Sequence, residues 1–82
     1  MKYQVIKHNK TGLKQIGLVD NIEQAISKLT TIGAKFNKTS YIGGFPIFID
    51  SKNKIYSIQG YFLPQGIVCS IPDKDIEVCR IA

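Results

Sequence analysis

The sequence predicts an α+β fold: a single amphipathic helix packed on an antiparallel sheet, in the order β-hairpin, helix, β-meander. Three observations point there. Only residues 21–32 repeat their apolar side chains with helical spacing; the rest of the chain falls into short alternating runs divided by turn residues; and three turns in the second half, placed independently, gather the same apolar residues on one face. With 82 residues and an apolar share of 44%, residues 1–82 are expected to form one domain, small but not disordered.

The first hairpin joins strands at 3–8 and 13–19 through Asn9-Lys10-Thr11-Gly12. A two-residue Lys10-Thr11 loop would place Tyr3 and Val5 on one face with Ile16 and Leu18. Asp20-Asn21-Ile22-Glu23 then reads as a capping box, with Asp20 as acceptor for the free N–H groups of the helix. Ile22, Ala25, Ile26, Leu29 and Ile32 form the apolar stripe, and Gly33 suits the left-handed residue that ends a helix. Residues 34–44 alternate loosely as a strand interrupted near Asn37-Lys38. In Tyr41-Ile42-Gly43-Gly44-Phe45-Pro46 the glycines lead into a strand rather than a helix, so they read as a turn and not as a phosphate cradle.

The meander follows. Turns at Lys52-Asn53, Pro64-Gln65 and Asp73-Lys74 would place Ile49 opposite Tyr56, Phe62 opposite Ile67, and Ile71 opposite Ile76. One face then holds Phe45, Ile47, Ile49, Tyr56, Ile58, Phe62, Ile67, Cys69, Ile71, Ile76 and Val78, and the helix buries its stripe against it.

The net charge of +5 lies entirely in residues 1–44, since residues 45–82 balance to zero. That asymmetry suits an anionic partner, either nucleic acid or an acidic protein face. Ten lysines to one arginine argue against base reading, which favours Arg. With heavy Ile usage, they also suggest an AT-rich genome such as that of a low-GC bacterium or its phage. No apolar run is long enough for a signal peptide or a membrane helix, so a bacterial cytoplasm is the expected location.

Catalytic chemistry finds little to assemble from. His8 is the only histidine, and with Cys69 and Cys79 it makes a poor zinc set. No cofactor or metal is expected, and no enzymatic activity. In the meander register Cys69 points into the core and Cys79 to the opposite face, which disfavours a disulfide and leaves both thiols free. Asp73, Asp75 and Glu77 alternate as an acidic surface row. The Asn-Lys-Thr sequons at 9–11 and 37–39 are read as turn chemistry.

The far face of the meander is unusually apolar for a solvated one: Phe48, Ile55, Tyr61, Leu63, Val68, Cys79 and Ile81 lie there among Ser57, Gln59, Ser70 and Glu77. Either the N-terminal segments cover it, or it is an exposed patch for a partner or for self-association. The candidate partner-binding residues are therefore Phe48, Tyr61 and Val68, with Lys7, Lys10, Lys14, Lys35 and Lys38 as a basic rim. Tyr3, Phe36 and Tyr41 would be the stacking groups of a nucleic-acid-binding alternative.

In size and plan, with a hairpin, a helix opened by Asp20-Asn21-Ile22-Glu23-Gln24-Ala25 and a small sheet on a basic body, the chain resembles phage-encoded anti-defence proteins of the anti-CRISPR kind. The likeness spans the whole chain and carries over no functional residue. It implies a non-enzymatic inhibitor that binds a nucleic-acid-handling complex.

Overall fold

The computed structural model describes all of residues 1–82. Eight elements run β1 (Lys2–Asn9), β2 (Gly12–Val19), α1 (Ile22–Thr31), β3 (Lys35–Thr39), β4 (Pro46–Ile49), β5 (Ile55–Phe62), β6 (Ile67–Cys69) and α2 (Asp73–Ile81). The sheet is antiparallel and six-stranded, ordered β2-β1-β5-β4-β3, with β6 also paired to β5. Strand β5 is the hinge of this order. Along one edge it pairs with β1 from Ile55 to Tyr61; along the other it pairs first with β4 and then with β6. The α+β class is as the sequence predicts, but there are two helices rather than one.

The second helix replaces the third predicted hairpin. Ile71, Asp75 and Cys79 are buried four residues apart, which is the spacing of one helical face. Pro72 opens α2, Asp73 and Asp75 occupy its first turn and Arg80 its last, each on the side that the helix dipole favours. The same residues also alternate with period two, and that alternation misleads when read without the Pro-Asp start. The predicted acidic row consequently does not form. Asp75 is buried and accepts a hydrogen bond from the Tyr3 hydroxyl, while Glu77 pairs with Arg80.

Helix α1 begins one residue later than the capping box predicts. Asn21 is the cap: its side chain accepts from the Gln24 backbone N–H at 2.9 Å. The Gln24 side chain reaches back to accept from the Asp20 N–H at 2.9 Å, so the reciprocal logic survives with Asn21 and Gln24 in the roles given to Asp20 and Glu23. At the far end Gly33 has φ +81, the left-handed terminator expected of it.

Two registers depart from expectation for identifiable reasons. The first hairpin turns at Lys10-Thr11 as predicted, with Asn9 opposite Gly12, but the pairing shifts between Val5 and Ile6. Ile16 is the extra residue of this bulge. It places Val5 opposite Gly17 and Tyr3 opposite Val19, so Val19 turns to the core and Leu18 to the other face. The β4–β5 connection is longer than a two-residue loop. Asp50 organises it: Oδ1 accepts from Lys52 N–H at 2.8 Å and Lys54 N–H at 2.9 Å, and Oδ2 accepts from the Tyr56 hydroxyl at 2.9 Å. The N–H of Lys54 foremost, with the Tyr56 hydroxyl, holds the Asp50 carboxyl below its usual range. This Asp-centred turn slips the pairing by one residue, giving Ile49 opposite Ile55 and Phe48 opposite Tyr56. Every side chain of β4 thereby changes face.

The β5–β6 hairpin keeps its predicted register, with Phe62 opposite Ile67. The β3 strand is interrupted at Asn37 as its sequence suggests, again by a bulge. Gly43 and Gly44 both have positive φ, in a turn that ends at β4.

Both helices lie on one side of the sheet. The core joins Ile22, Ala25 and Leu29 of α1 and Cys79 of α2 to Val5, Phe48, Tyr56 and Ile58 of the strands, with Ala34 and Ile71. Phe48 belongs here and not to an interaction surface: it is 2% exposed and meets Phe36 edge-to-face at 5.8 Å.

Candidate interaction face

Because both helices take one side, the other side of the sheet has no layer upon it. Strand pairing identifies its occupants. From the middle outward they are Lys2, Gln4, Ile6 and His8 of β1, Ile55, Ser57, Gln59 and Tyr61 of β5, Ile47 and Ile49 of β4, Leu13, Gln15 and Leu18 of β2, Lys35 and Lys38 of β3, and Val68 of β6.

The centre of this face is polar and tied together. Gln15 donates to Gln4 at 2.7 Å and Gln4 donates to Gln59 at 3.1 Å, a row of amides across β2, β1 and β5. Beside it His8 Nε2 lies 2.8 Å from Ser57 Oγ. Burial lowers the His8 pKa from its ordinary value. Ser57 is buried, and no far-face strand position carries a carboxylate beside the imidazole. Every buried side-chain polar atom has a partner. The amide row thus holds three strands in register without leaving unsatisfied groups.

Around that centre the face is apolar. Leu13, Leu18, Ile55 and Val68 are exposed on it, and Ile47 and Ile49 half-buried. The β5–β6 hairpin extends the patch beyond the core. Its side chains Phe62, Leu63, Ile67 and Val68 are 45–55% exposed, and they project from both sides of the hairpin.

Charge is segregated by the same topology. Lys35 and Lys38 line the β3 edge of the uncovered face. Most acidic residues lie elsewhere: Glu23 on α1, Asp73, Asp75 and Glu77 on α2, and Asp50 in the β4–β5 connection. Asp20 reaches round to pair with Lys2 at the start of β1.

The candidate residues drawn from the sequence therefore separate. Tyr61 and Val68 stand opposite each other on the uncovered face, with Lys35 and Lys38 at its rim. Lys7 and Lys14 pair with each other on the helix-bearing side, and Lys10 sits at the hairpin tip. Phe48 is core. Sequence reasoning missed Leu13, Leu18, the amide row and the His8–Ser57 pair. A single glutamine on each of β1, β2 and β5 was the visible sign of the amide row, but only the cross-strand register shows that they meet.

A cleft of about 470 Å³ lies on the helix side, lined by Ile26, Ala34, Phe36 and Phe48 together with Thr30, Lys35 and Arg80. Arg80 stacks over Phe36 at 5.6 Å and bonds Glu77 at 2.9 Å, so its guanidinium is already engaged. No helix is long and apolar enough to cross a membrane.

Of the thiols, Cys69 keeps its predicted face, opposite Gly60 on the helix side, while Cys79 does not take the far face predicted for it. Cys79 is fully buried in the core and Cys69 is partly accessible, at 3.6 Å from the Met1 sulfur. Both are free. Compared with known protein families, with curated proteins and with solved structures, the chain shows no match.

Proposed function

We propose that this chain is a non-enzymatic binding protein that docks its uncovered sheet face and β5–β6 hairpin onto a protein partner, acting as an inhibitor of the anti-CRISPR kind in a bacterial cytoplasm. One observation carries the proposal: the hairpin is apolar on both sides, and its exposed side chains run on into a face that no helix covers. Such a surface is costly to leave in water unless a partner buries it. The rim of Lys35 and Lys38, with no carboxylate among the far-face strand positions, favours an acidic patch on the partner protein.

The make-up of the face favours protein over nucleic acid. Leu, Ile and Val dominate its apolar part, with Tyr61 as the aromatic group on its strands, whereas single-stranded nucleic acid calls for several stacking rings in a basic groove. The sole arginine lies on α2, away from this face.

The test is a target-cleavage assay with purified CRISPR effector complexes, run with wild-type chain and with Val68→Asp and Tyr61→Ala. Wild type should inhibit cleavage by a susceptible complex. Tyr61→Ala should weaken binding by about 2 kcal/mol or more, the scale of an interface hot spot, with little change in melting temperature. If wild type instead shifts free DNA or RNA in a gel, with affinity falling steeply as salt rises, the lysine-based nucleic-acid reading replaces this one.

A further inference from the structure

The cleft on the helix side lies where the last turns of both helices meet β3. Thr30 borders it from α1, Arg80 from α2 and Phe36 from β3. The chain leaving α1 adds little bulk to the lining, since Gly33 has no side chain and Ala34 only a methyl. Phe36 and Phe48 line it as an edge-to-face pair at 87°, with Ile26 beside them. A volume of about 470 Å³ falls within the ~300–1,000 Å³ of clefts that take small molecules.

We propose that this cleft binds a small aromatic monocarboxylate, with its ring against Phe36 and Phe48 and its carboxylate on Arg80. Two features of Arg80 carry the argument. Its guanidinium carbon stands 5.6 Å from the Phe36 ring centroid, so the cation is held against an aromatic wall of the cleft. Glu77 takes only Nε, at 2.9 Å, and leaves the two Nη groups as the fork that holds a carboxylate through parallel hydrogen bonds. The Glu77 pair is itself exposed, at 52% and 62%, so little is lost if it loosens. Lys35, also in the lining, makes no ion pair and adds to the positive potential there. The body of the guest is aromatic because the lining presents two rings set nearly perpendicular, an arrangement that a flat guest extends.

The cleft and the uncovered sheet face lie on opposite sides of the sheet, so either reading can fail without the other. Glu77 is an internal competitor for Arg80. Removing its charge with Glu77→Gln should tighten carboxylate binding several-fold and leave a neutral guest unaffected.

The intact chain is titrated with 2-naphthoate, followed by calorimetry and by NMR chemical shifts, beside the neutral 2-naphthalenemethanol and the cationic 2-naphthylmethylamine. The expected result is saturation at one equivalent of naphthoate, with shifts gathered on Ile26, Thr30, Ala34 and Phe36, and weaker binding of the alcohol and the amine. Arg80→Gln should weaken naphthoate binding about ten-fold or more, the scale of a charge-assisted hydrogen bond, and leave the alcohol unchanged. Thr30→Trp should fill the cleft and exclude all three. Both substitutions are at exposed helix positions, and circular dichroism confirms that each variant keeps the fold. Absence of saturable naphthoate binding up to millimolar concentration overturns the proposal, as do equal affinities for the three guests and indifference to Arg80→Gln. Binding that is lost in Val68→Asp but kept in Thr30→Trp would place the guest on the apolar hairpin and overturn it too.

Discussion

Replacing Phe48 with alanine tests the pairing that decides which side of β4 is inside. Phe48 is 2% exposed and packs edge-to-face on Phe36, so truncation leaves a cavity and removes an aromatic pair. Changes of this kind cost roughly 3–5 kcal/mol. For 82 residues, an unfolding entropy of about 2.1 cal/mol/K per residue gives ~0.17 kcal/mol/K, and that cost becomes a fall of roughly 20–30 °C in melting temperature. It would consume a large part of the ~4–12 kcal/mol total stability of a domain this size. Ile47→Ala, one residue away, should differ sharply. Ile47 is half-buried on the uncovered face, and losing three carbons there costs about 1 kcal/mol at ~0.8 kcal/mol per fully buried methylene. Thermal melts of both variants, followed by circular dichroism, make the comparison. If Ile47→Ala melts as low as Phe48→Ala would be expected to, while Phe48→Ala melts near wild type, the Asp50-centred register is wrong and β4 is turned over.

Three further outcomes follow from named contacts. Cys69 should react with a thiol reagent in the native protein well before Cys79, whose thiol is buried and pushed up to about 12; equal rates would mean that α2 is not docked. Tyr3 is pushed up to about 12 from 10.0, by burial first and then by its hydrogen bond to Asp75 and the charge there. The unfolded chain releases that proton near pH 10 while the folded one retains it, so the contribution is complete below pH 10 and is lost as pH rises toward 12. Denaturant titrations should show stability falling across that interval, with a smaller slope in Tyr3→Phe. A residual slope should remain, because Tyr56 and Cys79 are shifted the same way. Tyr3→Phe should also cost about 1–3 kcal/mol at neutral pH by stripping Asp75 of its donor. Asn21→Ala should cost about 1 kcal/mol as a lost helix cap, and Asp20→Ala distinctly less; chemical denaturation would show the reverse if Asp20 were the cap.

The elements that the chain specifies locally are those whose signal lies within a few residues. The Lys10-Thr11 turn, the stripe of α1 with its Gly33 stop, the Gly43-Gly44 turn and the Phe62–Ile67 register all follow from local turn chemistry and apolar period. The candidate site was partly legible for the same reason: Tyr61 and Val68 belong to a hairpin whose register a short turn determines. Tertiary structure decided the rest. Period-two and helical patterns overlap in Asp73–Ile81, and only the chance to bury Ile71, Asp75 and Cys79 together against α1 and the sheet selects the helix. The face of Phe48 depended on one carboxylate, Asp50, collecting two backbone N–H groups and a tyrosine hydroxyl into a longer turn. The bulge at Ile16 brings Val19 to the core and Leu18 to the open side. That the far face is uncovered follows from the second helix joining the first. A sheet this small has one apolar layer to satisfy, and once both helices pack on Val5, Tyr56 and Ile58, no element is left to cover the other side.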